Sequence, residues 1–142
     1  MPRSPLAESV ELTADACAAL LGSHHFGRIG LQGRDGPAIY PVNYVWDGGH
    51  VAVRTNPGTK VADSAQTQVA FEIDGVDDSS RTGWSVLVVG TAYEVTDSMD
   101  AVSAALRALP VDTWAPGQNA VWLRIQPRSV TGRAVRAGGD GV

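Results

Sequence analysis

From Gly27 onward, apolar and polar positions alternate with a period of two in short runs, the pattern of strands that bury one face. Residues 28–31 form the first run, closed by the turn composition Gly33-Arg34-Asp35-Gly36. Residues 38–46 are rich in valine, isoleucine, tyrosine and tryptophan, and Asp47-Gly48-Gly49 reads as a tight hairpin turn into a return strand over 50–55. Further strands are expected over 69–73, 84–96 and 120–125, with 130–135 extending the sheet. Two segments break this rhythm. Thr13 is placed to cap a helix running to about residue 21, with Leu12 and Cys17 as a hydrophobic staple and Gly22 as the terminating residue. Asp97 or Ser98 can cap a second helix to residue 109, with Met99, Val102, Leu106 and Leu109 on its apolar face and Pro110 as its stop.

The longest strand carries the topology. Trp84, Val86, Val88, Gly90 and Ala92 share one face, and Ser85, Leu87, Val89, Thr91 and Tyr93 the other. Both are apolar through the middle, so both need cover. A small barrel covers one face with its own interior, and helices or a second subunit must cover the other. Regular helical crossovers are missing, which excludes a parallel doubly wound sheet. The expected fold is mainly β: a small antiparallel six-stranded split β-barrel with flanking helices, assembled as a homodimer. It would occupy residues 12–136, between a flexible arm over 1–11 and a disordered glycine-rich tail over 137–142.

Composition narrows the function classes. The chain has 142 residues, 44% of them hydrophobic and 18% charged, enough for one well-filled core. A formal net charge of -4 argues against nucleic-acid binding. No apolar run is long enough to span a membrane or serve as a secretory signal, so a cytoplasmic protein is expected. Cys17 is the single cysteine, which leaves no internal disulfide and no multi-cysteine zinc site. His24 and His25 are adjacent with no other ligand cluster nearby, and Glu72, Asp74, Asp77 and Asp78 lack calcium-loop spacing and read as a solvated loop, so no metal is expected. A hydrolytic nucleophile motif is also missing.

Three segments can carry chemistry. Arg54-Thr55-Asn56-Pro57-Gly58-Thr59-Lys60 leaves a strand and is expected to enter a short helix over 60–65. Loop and helix N–H groups, two cations and several side-chain donors suit a phosphate, although an ordinary polar connection facing water has the same composition. The glycine spacing is not that of a Walker loop. Asn43 is a polar residue in the apolar strand Pro41-Val42-Asn43-Tyr44-Val45, either structurally satisfied or facing a flat heteroaromatic, and Pro41 marks an unpaired position on that strand. Trp84-Ser85-Val86 opens the longest strand with an aromatic that could line a pocket or fill the core.

Taken in order, these segments resemble the FMN-binding split-barrel superfamily, the pyridoxamine 5′-phosphate oxidase-like proteins, and within it the short single-domain branch that includes nitroimidazole-resistance-type proteins. The resembling stretches are Phe26-Gly27-Arg28-Ile29-Gly30, Pro41 to Val45, Arg54 to Lys60, Val69-Ala70-Phe71-Glu72-Ile73-Asp74, Gly83 to Gly90, and Trp122-Leu123-Arg124-Ile125. The resemblance implies a homodimer with flavin sites at the subunit interface. It implies a flavin phosphate on Thr55, Thr59 and Lys60, with Arg54 and Asn56 alongside. It implies an isoalloxazine ring against Val42, Asn43 and Tyr44 and against Trp84, Ser85 and Val86. A partner subunit would close the site through the loop around Trp114 or the strand bearing Trp122 and Arg124. The expected activity is that of an FMN-dependent oxidoreductase on a small molecule. The further basic residues and longer C-terminal segment of true pyridoxamine 5′-phosphate oxidases are missing, so that reaction is not expected. Lys60 is followed by Val61 rather than a second cation, which leaves an F420-dependent reductase open as an alternative. A non-enzymatic flavin or heme binding module, the latter through His24 and His25, is a further one.

Overall fold

The computed structural model describes residues 8–95 and 121–136. Its elements are β1 (Glu8–Glu11), α1 (Ala14–Ser23), β2 (Phe26–Gly33), β3 (Gly36–Trp46), β4 (Val51–Thr55), a 3-10 turn (Ala62–Ser64), β5 (Gln68–Asp77), β6 (Thr82–Glu94) and β7 (Val121–Arg136). The seven strands form one antiparallel sheet in the order β1-β7-β4-β3-β2-β5-β6, and β6 pairs back onto β7. That last pairing closes β2 to β7 into a six-stranded barrel, with β1 added to the far end of β7. The second expected helix, Trp114 and the 137–142 tail lie outside the described residues. Among the described residues, no helix is long and apolar enough to cross a membrane.

Alternation dictates the core. Ile29, Val42, Tyr44, Val53, Phe71, Ile73, Val86, Val88, Leu123 and Ile125 point inward and are buried. Tyr44 and Phe71 meet edge to face at 4.8 Å. Cys17 and Leu21 of α1 belong to the same apolar cluster. The helix begins as the sequence predicts, with the Thr13 hydroxyl accepting from the Ala16 N–H at 3.1 Å. It ends later: Gly22 lies inside α1 and His24 is the C-cap in extended backbone. The end needs no glycine, because the Ser23 hydroxyl and His24 Nδ1 bind the Leu20 carbonyl and the buried Tyr44 hydroxyl donates to that of Leu21 at 2.7 Å.

Other differences also have local causes. Glu8–Glu11, expected within a flexible arm, forms β1 by pairing with Arg133 to Arg136. The two segments expected at 120–125 and 130–135 are one strand, because a bulge between Val89 and Gly90 lets Pro127 sit opposite Gly90 without breaking the ladder. Glu72, Asp74 and Asp77 belong to β5 rather than to a solvated loop. Arg28 on the neighbouring strand bridges Glu72 and Asp74 at 3.1 and 3.3 Å, so the acidic run is held in the sheet. Burial and the adjacent Asp74 raise the Glu72 pKa, with Arg28 opposing.

Gly90 is where closure is tightest, since a Cβ there would land on the Gln126 carbonyl oxygen. Gly90→Ala is expected to cost about 3 kcal/mol, read as a lower urea midpoint. Gly30→Ala, whose added Cβ would meet nothing nearer than Ala70 at 3.8 Å, should leave the midpoint nearly unchanged.

Candidate functional site

β4 is held on one edge by β7, from Val51↔Ile125 to Thr55↔Val121. On its other edge it pairs with β3 only through Tyr44, Val45 and Trp46. Beyond Tyr44↔Val53 the two strands part, and the chain after Thr55 fills the gap with the loop that leads to the 3-10 turn. Gly58 has φ 77, a conformation that favours glycine and turns the loop back toward the barrel.

Thr59 organises this loop. Its hydroxyl donates to the Asn56 carbonyl at 2.9 Å. With that proton committed, its oxygen accepts from the Ala62 N–H at 3.1 Å and from the Thr55 hydroxyl at 3.0 Å. The helix expected over 60–65 is only the turn Ala62–Ser64. The chain is drawn into β5 instead: the Gln66 N–H donates to the Ala92 carbonyl, and the Ala92 N–H donates to the Thr67 carbonyl. The groups this loop offers an anion are therefore cations, hydroxyls and loop N–H groups, and not a helix dipole.

The parted strands enclose a cleft of about 640 Å³. Val42 and Asn43 form one wall, and Arg54, Thr55, Asn56, Thr59 and Lys60 form the other. Tyr40, Pro41, Gly58 and Val61, which sequence reasoning did not assign to the site, complete the lining. Pro41 lies on β3 where the β4 ladder has ended, a position where a missing N–H costs nothing. The Asn43 side chain is half-buried and has no hydrogen-bond partner among the described residues. Arg54 and Lys60 give the lining two positive charges and no carboxylate, although the whole chain carries a net charge of -4. The Arg54 guanidinium stands 5.9 Å from the Trp122 ring centroid, directly across the β4–β7 ladder.

The remaining predicted residues lie elsewhere in a single chain. Tyr44 and Val86 are core residues, and burial pushes the Tyr44 phenol pKa up, so it stays neutral. Trp84 and Ser85 line a separate cleft of about 680 Å³ with Asp74, Arg81 and Arg133. Trp84 stands 4.8 Å from the His24 ring. Its indole lies over Gly75, whose missing Cβ makes the room. Among the described residues, no group of three or more His, Cys, Asp or Glu side chains is arranged to hold a metal.

An antiparallel split barrel with a cationic, hydroxyl-rich loop beside a parted strand defines the class. The family model described as pyridoxamine 5′-phosphate oxidase matches residues 13–134, and the chain belongs to that family. It is 37% identical to the uncharacterized protein Rv0080 of Mycobacterium tuberculosis, over 88% of this chain and 84% of that protein. Its fold is similar to that of the FAD binding protein from Mycobacterium smegmatis, with a TM-score of 0.74 and 33% identity over 89% of this chain and 97% of that one. It is also similar to a candidate 5-nitroimidazole antibiotic resistance protein from Bacteroides thetaiotaomicron, with a TM-score of 0.71 over 91% of that chain and 94% of this one. At 10% identity this likeness concerns the fold alone.

Thr59→Val removes the hub while keeping its volume. It is expected to cost about 1 to 2 kcal/mol, because the Ala62 N–H and the Asn56 carbonyl lose their partner. Hydrogen exchange at the Ala62 amide should speed up while exchange in β5 and β6 stays slow.

Proposed function

We propose that this chain binds a flavin in the cleft between β3 and the Arg54–Lys60 loop, and that it acts as a homodimer. The observation that carries this reading is the sign of the lining: two cations, three hydroxyl or amide side chains on the loop, and no carboxylate. A phosphate matches that wall, with Lys60, Thr55 and Thr59 around it. The Val42–Asn43 wall suits the ring, where the Asn43 amide can both donate to and accept from a flat heteroaromatic edge. FMN is the smallest flavin with both a phosphate and a ring. The FAD-binding relative from Mycobacterium smegmatis supports a flavin in general.

When bound, the flavin supplies hydride or electron transfer. The chain's residues bind the phosphate, orient the ring edge and exclude water from it. No acid or base of the protein is required for that chemistry, and an oxidoreductase acting on a small molecule follows as the activity.

A dimer is supported by the outer face of the barrel. Strand register lines up Ile39, Gly30, Ala70 and Val89 in one row, with Leu87 in the next. Ile39 is 71% exposed and Leu87 40% exposed. A second copy over this face would cover the apolar row. It would also explain why Trp84 and Ser85 are not in the same cleft as Lys60 within one chain: the two walls would come from different subunits.

The visible absorption spectrum of the purified protein, followed by titration with FMN, tests the cofactor. Lys60→Ala should raise the FMN Kd at least about tenfold with an unchanged unfolding midpoint, since Lys60 makes no hydrogen bond among the described residues. Unchanged FMN affinity would move the phosphate off this loop. For the assembly, Ile39→Glu should give monomers by analytical ultracentrifugation and lower flavin affinity at the same time. Dimers that persist would place the interface on another face.

A further inference from the structure

Trp84 borders the cleft of about 680 Å³, yet its own sheet does little to fix the indole. Its ladder partners are Gly75 and Ala134, so one neighbour has no side chain and the other a single methyl. The indole N–H makes no hydrogen bond among the described residues. Packing sets the ring instead. It lies over Gly75, and the His24 imidazole stands 4.8 Å from it at an interplanar angle of 53°. His24 is itself tied down. A carbonyl oxygen only accepts, so His24 Nδ1, at 2.8 Å from that of Leu20, is the donor and carries the ring proton. The Ser23 hydroxyl donates to the same carbonyl at 3.2 Å. One residue further on, the Tyr44 N–H donates to the His25 carbonyl at 2.9 Å, and the buried Tyr44 hydroxyl holds the Leu21 carbonyl. The imidazole is thus fastened to the end of α1 from both directions along the chain.

We infer that His24 is a positioning residue: it holds the Trp84 indole in place beside the cleft and acts on a bound ligand only through that ring. Its bearing on flavin affinity rests on the flavin reading above, in which Trp84 belongs to the wall against the isoalloxazine. The pair also carries a spectroscopic signature. With Nδ1 committed to the Leu20 carbonyl, Nε2 is the nitrogen left to take up a second proton. An imidazole changes charge between about pH 5 and 8, so that proton puts a full charge beside the indole without breaking the anchor. His25 follows in the chain, and Asp74, Asp77, Asp78, Arg81 and Arg133 line the adjoining cleft, so variants are needed to assign the proton to one group.

Two readouts on the full chain test this. The first is the emission of Trp84, taken as the wild-type signal minus that of Trp84→Phe. A cationic imidazole in contact quenches indole emission, so the difference should fall as the pH drops from about 8 to about 5. His24→Gln keeps a side-chain N–H for the Leu20 carbonyl and gains no proton, so in the same subtraction the step should vanish while the Tm stays close to that of the wild type. His25→Gln should keep the step. The second readout is a double-mutant cycle on FMN affinity. His24→Ala and Trp84→Ala should each raise the FMN Kd about threefold or more, and the double variant should do no worse than Trp84→Ala alone, because His24 acts through the indole. A wild-type emission without a step, a step that survives His24→Gln, or additive losses in the cycle would overturn the assignment. The expected step in a chain that takes up no FMN would take down the flavin reading and leave the His24–Trp84 pair standing.

Discussion

A six-stranded barrel has room inside only for its own side chains, and here β7 enforces closure by pairing with β4 through its first residues and with β6 along most of its length. Tyr44, Phe71, Val86, Leu123 and Ile125 fill the interior. Backbones must then approach closely where the strands wrap, and the small residues are placed there. Gly90 faces the Gln126 carbonyl, and Gly132 leaves room for Cys17 and Leu12 of the helix and its lead-in. Once the interior is full, binding chemistry has three places left: the outer faces, the strand ends and the loops.

The cleft follows from how closure is shared. β4 belongs more to β7 than to β3: five register pairs hold it on one edge and three on the other. The parting of β3 and β4 after Val53 is thus the cost of satisfying β7, and the loop that fills the gap is made rigid by the Thr59 hydroxyl rather than by a helix. Concentrating Arg54 and Lys60 on this wall gives an acidic protein a locally cationic cleft, a stronger pointer to ligand type than overall charge.

Much of this was legible in the residue pattern. Period-two alternation marks the strands, Asp47-Gly48-Gly49 marks a hairpin whose Asp47 carboxylate accepts from the Gly49 and His50 amides, and Thr13 marks the start of α1. What was not legible depends on distant partners. The end of α1 rests on the Tyr44 hydroxyl 23 residues away in sequence, β1 exists because β7 offers an edge, and the acidic strand is held by Arg28. For the site, the resemblance groups Val42, Asn43 and Tyr44 as one patch, whereas a strand sends its neighbours to opposite faces, and only Asn43 among them combines a polar side chain with a place on the cleft wall.

The same limit governs charges that come together from distant parts of the chain. Cations adjacent in sequence announce a phosphate loop, whereas Arg34 and Lys60 are brought to one cleft by a hairpin and a loop from different parts of the chain. The β2–β3 hairpin is held from Phe26↔Asn43 to Gly33↔Gly36, so its register sets how far its turn projects past the Arg54–Lys60 loop. Lengthening or shortening that hairpin by one residue pair would move Arg34 by about 3.3 Å per residue without touching the first cleft. The spacing of Arg34 from Lys60 is then a property of a hairpin's length, adjustable on a barrel whose core and Arg54–Lys60 loop stay constant.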